Sequence, residues 1–187
     1  MVSYNLIDLL MTCICAACIF KGRKSGLFPE FINLTGVLFA TFFSIHYYLI
    51  VSARVKQYVT VKLSEPLFHF VVFAVIALVV MGVFVVVRKG WLIILKIETM
   101  SFINKYGGIL IAGMKGYLLC CLVFLSLIIS GNEIARYNSR KSLSSLIMAN
   151  TSVNIYSACY SRIVNRFFPN EGMNKKVFKV LSRRNNN

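Results

Sequence analysis

The chain has 187 residues, 58% of them hydrophobic and only 14% charged, with a mean hydropathy of +0.72. Values this apolar exclude an ordinary soluble domain and an intrinsically disordered chain, both of which carry more polar surface. The 21 Lys and Arg against 6 Asp and Glu, a formal net charge of +15, must then cluster mainly at the edges of apolar segments.

Four apolar runs follow in chain order: Tyr4 to Phe20, Phe28 to Val51, Leu67 to Val87 and Ile109 to Ser130. Each approaches the ~20 residues that cross about 30 Å of hydrocarbon at about 1.5 Å per residue. These lengths predict an all-α integral membrane fold with about four transmembrane helices, inside a membrane domain covering residues 1–168. The first run is the shortest. It lacks the basic flank of a cleavable signal, since residues 1–5 hold no Lys or Arg and Asp8 stands within it, so it reads as a retained helix. Its Cys13, Cys15 and Cys18 do not suit a metal: positions 13 and 15 point to different helix faces, and no second cluster completes a tetrahedron. The cysteines read as small packing residues, and no metal or other cofactor is expected.

Between the first two runs, Gly22 and Gly26 bracket Arg23, Lys24 and Ser25, which predicts a tight cationic turn. Trp91 to Lys105 mixes apolar residues with Lys96, Glu98 and Asn104, the pattern of an interfacial helix or of an extension of the third span. From Ser142 to Phe168, Leu146, Val153, Tyr156, Tyr160, Ile163, Val164 and Phe167 recur at helical spacing with Arg162 and Arg166 between them. An interfacial amphipathic C-terminal helix, ended by Pro169, is the prediction. Residues 169–187 form a basic, asparagine-rich tail expected to be disordered.

Nearly all the cations lie just outside the spans: Lys21, Arg23 and Lys24, then Arg54, Lys56 and Lys62, then Arg88, Lys89, Lys96 and Lys105, and ten more beyond residue 131, with Lys115 alone inside a span. Anionic lipid headgroups attract each by about 1 kcal/mol, which accounts for the basic tail without nucleic acid. Loop charge alone leaves the orientation nearly undecided.

Polar groups inside spans are where function would live, because lipid penalises them unless they are paired or face a cavity. Asp8, His46 and His69 fall toward one membrane face if the chain hairpins at each connection. One carboxylate and two imidazoles suit a proton relay or ion site; equally, Asp8 caps its helix and the histidines sit at headgroup depth. At the other face, Lys115 pairs with Glu30 or snorkels to the headgroups. Gly108, Ala112 and Gly116, spaced by four, leave a shallow groove on the fourth helix, the kind of face through which helices approach in lipid. Catalytic motifs such as Gly-x-Ser-x-Gly, His-Glu-x-x-His or a phosphate-binding loop are not found, and no enzyme is expected.

Asp8, the Gly22 and Gly26 turn followed by Glu30, Leu34 and Gly36, and the run Asn104, Lys105, Gly108, Ala112, Lys115 and Gly116 together resemble the colicin V production protein family over about residues 4–160. The family pattern in the last helix is Asp-Arg-x-x-Gly-x-x-x-Gly-x-x-(Arg or Lys)-Gly. This chain departs from it at Asn104 and Ala112: the alanine makes the groove shallower, and Asn104 removes an acid that would face Lys105. The resemblance implies a multi-pass protein of the bacterial inner membrane, named for a requirement in producing a secreted peptide toxin. Relatives with an outer protease domain after the helices imply that both chain ends lie outside. Two functional classes are expected. One is an accessory or scaffold protein of the envelope, acting through a homo-oligomer or other envelope proteins; the other is a small oligomeric transporter or channel using Asp8, His46 and His69.

Overall fold

A computed structural model describes residues 6–58, 63–94, 101–130, 148, 151, 154–158 and 160–161. The main elements are four helices: α1 (Leu6–Ser25), α2 (Leu27–Tyr58), α3 (Glu65–Ile94) and α4 (Ser101–Ile129). Their ends follow local chemistry. Gly26 alone separates α1 from α2 and adopts φ +86°, a left-handed conformation that ends α1 at little steric cost to glycine. Its carbonyl accepts the Glu30 amide at 3.4 Å, so the same residue opens α2. Pro29 and Pro66 fall in the first turns of α2 and α3, where a missing N–H costs no intrahelical bond. Replacing Gly26 with alanine should cost at least about 1–2 kcal/mol, the left-handed penalty for a residue with a Cβ. The added atom would also lie 2.5 Å from the Asn104 side chain. A thermal melt in detergent measures this, and an unchanged midpoint would contradict the strained turn.

Helices joined by this one-residue turn barely touch each other. α1 instead lies antiparallel along α4, while α2 packs between α3 and α4. One apolar cluster joins α2, α3 and α4 through Ala40, Ile45, Tyr48, Phe73, Leu122 and Leu125, and includes Tyr156. A second joins α1 and α4 through Ile7, Met11, Cys120, Cys121, Phe124 and Ile128, with Met148 on it. α3 is apolar all round and exposes Val71, Val75, Leu78, Val79, Val83 and Val86. A helix with no polar face is at home in hydrocarbon.

Among the described residues, three helices are long and apolar enough to cross a membrane: Leu27–Tyr58, Glu65–Trp91 and Asn104–Ile129. The first predicted run does not join them by length and composition. In α1, Asp8 at one end and Lys21, Arg23 and Lys24 at the other leave Leu9 to Phe20 as the uncharged stretch, about 18 Å of helix against about 30 Å of hydrocarbon. α2 outruns the predicted end at Val51 and continues to Tyr58, since helix is free to persist past the lipid boundary once its side chains turn polar. Of the segment from Trp91 to Lys105, residues 91–94 extend α3 and residues 101–105 open α4, while 95–100 lie outside the described residues.

The tail at 169–187, Cys159 and most of the amphipathic segment at 142–168 lie outside the described residues. Residues 154–158 are helical. Within that piece Tyr156 is fully buried in the bundle and so is not turned to the lipid surface.

Candidate functional site

The two ends of the bundle hold different polar centres. At the Gly26 end, α2 and α4 run parallel, and the Asn104 Oδ1 accepts the Leu27 backbone N–H at 2.7 Å. One of the orphan donors that open α2 is thus capped from another helix. Deeper in, the Lys115 ammonium is paired with the Glu30 carboxylate. Side chains on a helix lean toward its N-terminus, so Lys115 is directed to the end where Glu30 lies. Glu30 is 0% exposed and Lys115 6%, and Asn33 Nδ2 approaches the second Glu30 oxygen at 3.5 Å.

The sequence groove on α4 has a definite occupant. A Cβ on Gly22 would lie 2.1 Å from the Ala112 Cβ and 2.8 Å from the Gly108 carbonyl oxygen, and Gly116 faces Cys15 and Cys18. Gly108, Ala112 and Gly116 therefore receive α1 of the same chain. Gly22 corrects the sequence reading: it is helical and serves this contact, and Gly26 alone makes the turn. Further along the seam the Cys15 and Cys120 sulfurs are 3.5 Å apart, and the Cys120 thiol donates to the Met11 carbonyl at 3.4 Å.

At the opposite end, Asp8, His46 and His69 come from three different helices. Asp8 is 3% exposed on α1, beside Ile7 and one turn from Met11 of the α1–α4 cluster. The His46 Nδ1 is 3.1 Å from the Tyr156 hydroxyl, its ring stacks on Phe42 at 5.7 Å, and Tyr47 meets it edge-on at 4.6 Å. His69 lies edge-on to Tyr48 with ring centres 6.0 Å apart. Two of the three are thus embedded in an aromatic layer. Tyr156 as a His46 partner was not visible in the sequence, because it follows the last span and helical spacing alone placed it on a lipid-facing stripe. Removing its hydroxyl with Tyr156→Phe should cost about 1–3 kcal/mol, as for other buried hydrogen bonds. The melting midpoint checks this, and a midpoint at or above wild type would contradict the contact.

A groove of about 520 Å³ opens between α2 and α4. Leu34, Leu38, Gly113, Met114, Leu118 and Ile155 are among the residues that line it, and it is almost wholly apolar. Among the described residues no three His, Cys, Asp or Glu side chains are grouped as a metal would require.

A family model described as "Colicin V production protein" matches residues 7–153. That match takes in α2, α3 and α4 and all but the first residue of α1, with Asp8, Glu30, His46, His69 and Lys115 inside it. No curated protein and no solved structure matches the chain.

Proposed function

The chain belongs to the colicin V production protein family, and on that premise we propose that it is an accessory or scaffold protein of the bacterial inner membrane that supports production of a secreted peptide toxin. One observation carries the choice of class. The charged pair within the spans, Glu30 with Lys115, is satisfied side chain to side chain in the packed interior, and the groove of about 520 Å³ is apolar. A transporter of polar cargo needs ionisable groups that face a wet cavity; a scaffold needs a rigid bundle with an apolar exterior for its neighbours, and α3 supplies such an exterior.

In this reading α1 enters the bilayer as a fourth, short span leaning on α4, and the C-terminal segment docks through Tyr156. The Gly26 end faces the cytoplasm and both chain ends face outward. The protein performs no catalysis; its partners are anionic lipid, envelope proteins and further copies of itself.

Small transporter or channel activity is the second reading, favoured by the burial of Asp8 and His46 toward the same end. The experiment that separates them combines Asp8→Asn with His69→Gln, which spares the His46–Tyr156 contact. In a toxin-producing strain lacking its own family member, a scaffold restores toxin release with the wild-type and the double variant alike. If release fails with the double variant while its membrane level is normal, and proton flux into proteoliposomes falls with it, the transporter reading replaces the scaffold.

A further inference from the structure

We infer that the Gly26 end of the bundle is a docking surface for the phosphate headgroups of anionic phospholipids, built by Lys21, Arg23 and Lys24 of α1 together with Lys105 of α4. Lys21, Arg23 and Lys24 are far from Lys105 in sequence, and all four are exposed. They become neighbours because Gly22 meets Gly108 at backbone distance and Gly26 meets Asn104, which sets the last turn of α1 beside the start of α4. Arg88 and Lys89, near the end of α3, add charge at the same end.

Nothing described nearby cancels that charge. The acid that α2 contributes here, Glu30, is fully buried and engaged by Lys115. Among the described residues no exposed acid shares this end. The other end is different: there Arg54 and Lys56 stand with Glu65, and Lys56 bonds it at 2.8 Å.

What lies beneath the cations identifies the occupant. Phe20 is 71% exposed on α1, and Leu110 is 69% exposed on α4 with Tyr106 a turn above it. An acidic protein would meet the ammonium and guanidinium groups and leave these side chains without a match. A phospholipid satisfies both, with phosphate on the cations and acyl chain along the apolar surface. The inference rests on the membrane reading of the chain and not on its role in toxin production.

The full chain, purified in mild detergent from bilayers of equal phosphatidylcholine and phosphatidylglycerol, is assayed for co-retained lipid after gel filtration. Phosphatidylglycerol should be enriched at least about fivefold, the factor that one cation–headgroup contact supplies. The variant with Lys21→Gln, Arg23→Gln, Lys24→Gln and Lys105→Gln should lose most of that enrichment. Arg54→Gln with Lys56→Gln should keep the enrichment, as should a charge-preserving variant in which Lys21, Lys24 and Lys105 become Arg. The proposal is overturned if the four-site Gln variant, still monodisperse, retains the enrichment, or if the Arg54 and Lys56 variant loses it equally. Binding of soluble polyglutamate without phosphatidylglycerol enrichment would assign the surface to an acidic protein and overturn it as well. Toxin release is not read in any arm, so failure of the scaffold role leaves these outcomes distinct.

Discussion

Lys115→Ala should remove most of the folded protein from the membrane. Glu30 is 0% exposed, and its carboxylate is held by the Lys115 ammonium and approached by Asn33. Deleting one member of a buried ion pair leaves the other as an uncompensated charge, at a cost of about 3–5 kcal/mol. A loss of this size is comparable to the whole stability of many domains. Glu30→Met together with Lys115→Met should restore much of it, because apolar replacements of similar length need no partner. Quantitative blotting of membranes and detergent melts report both effects. A double variant no more stable than Lys115→Ala would show that the pair is not the cause.

Gly22→Leu should detach α1 from α4. A first side-chain atom at Gly22 already lies 2.1 Å from the Ala112 Cβ and 2.8 Å from the Gly108 carbonyl oxygen. Rotamer changes cannot move a backbone oxygen, so the helices must part. Overpacking of a tight interior costs about 1–3 kcal/mol where the surroundings yield, and here α1 has little else to hold it, since it barely touches α2. The sulfurs of Cys15 and Cys120, 3.5 Å apart across the same seam, provide the readout. With the other cysteines replaced by alanine, mild oxidation should cross-link this pair in the parent chain and fail to do so with Gly22→Leu. Undiminished cross-linking would refute the seam. Gly113→Ala is the contrasting case: nothing lies within 4 Å of its added atom, and the gain in helix propensity is at most about 1 kcal/mol.

Both effects depend on residues that the sequence already singles out, though for different reasons. The stripe of Gly108, Ala112 and Gly116 announces a contact face from spacing alone. That its occupant is α1 is not written in the stripe, because a second copy or another protein would need the same small residues. Gly22 misleads by its company: placed between cations and near Gly26 it resembles part of a turn, yet it is the reciprocal glycine of that seam. Asn104 looks like the loss of an acid, and in the fold its amide oxygen caps Leu27. Either side chain offers an oxygen to the same N–H, so the departure from the family pattern keeps the acceptor.

Sequence alone determined that the chain is helical and belongs in a membrane, and it located α2, α3 and α4, because bilayer thickness converts directly into a length of apolar residues that no local propensity overrides. Tertiary structure decided which helices meet. Apolar surfaces gain nothing from one another in lipid, so pairing rests on shape and on a few polar contacts. The fit of Gly22 to Gly108, the Glu30–Lys115 pair and the His46–Tyr156 hydrogen bond join residues far apart in the chain. No periodicity within one segment encodes such long-range choices.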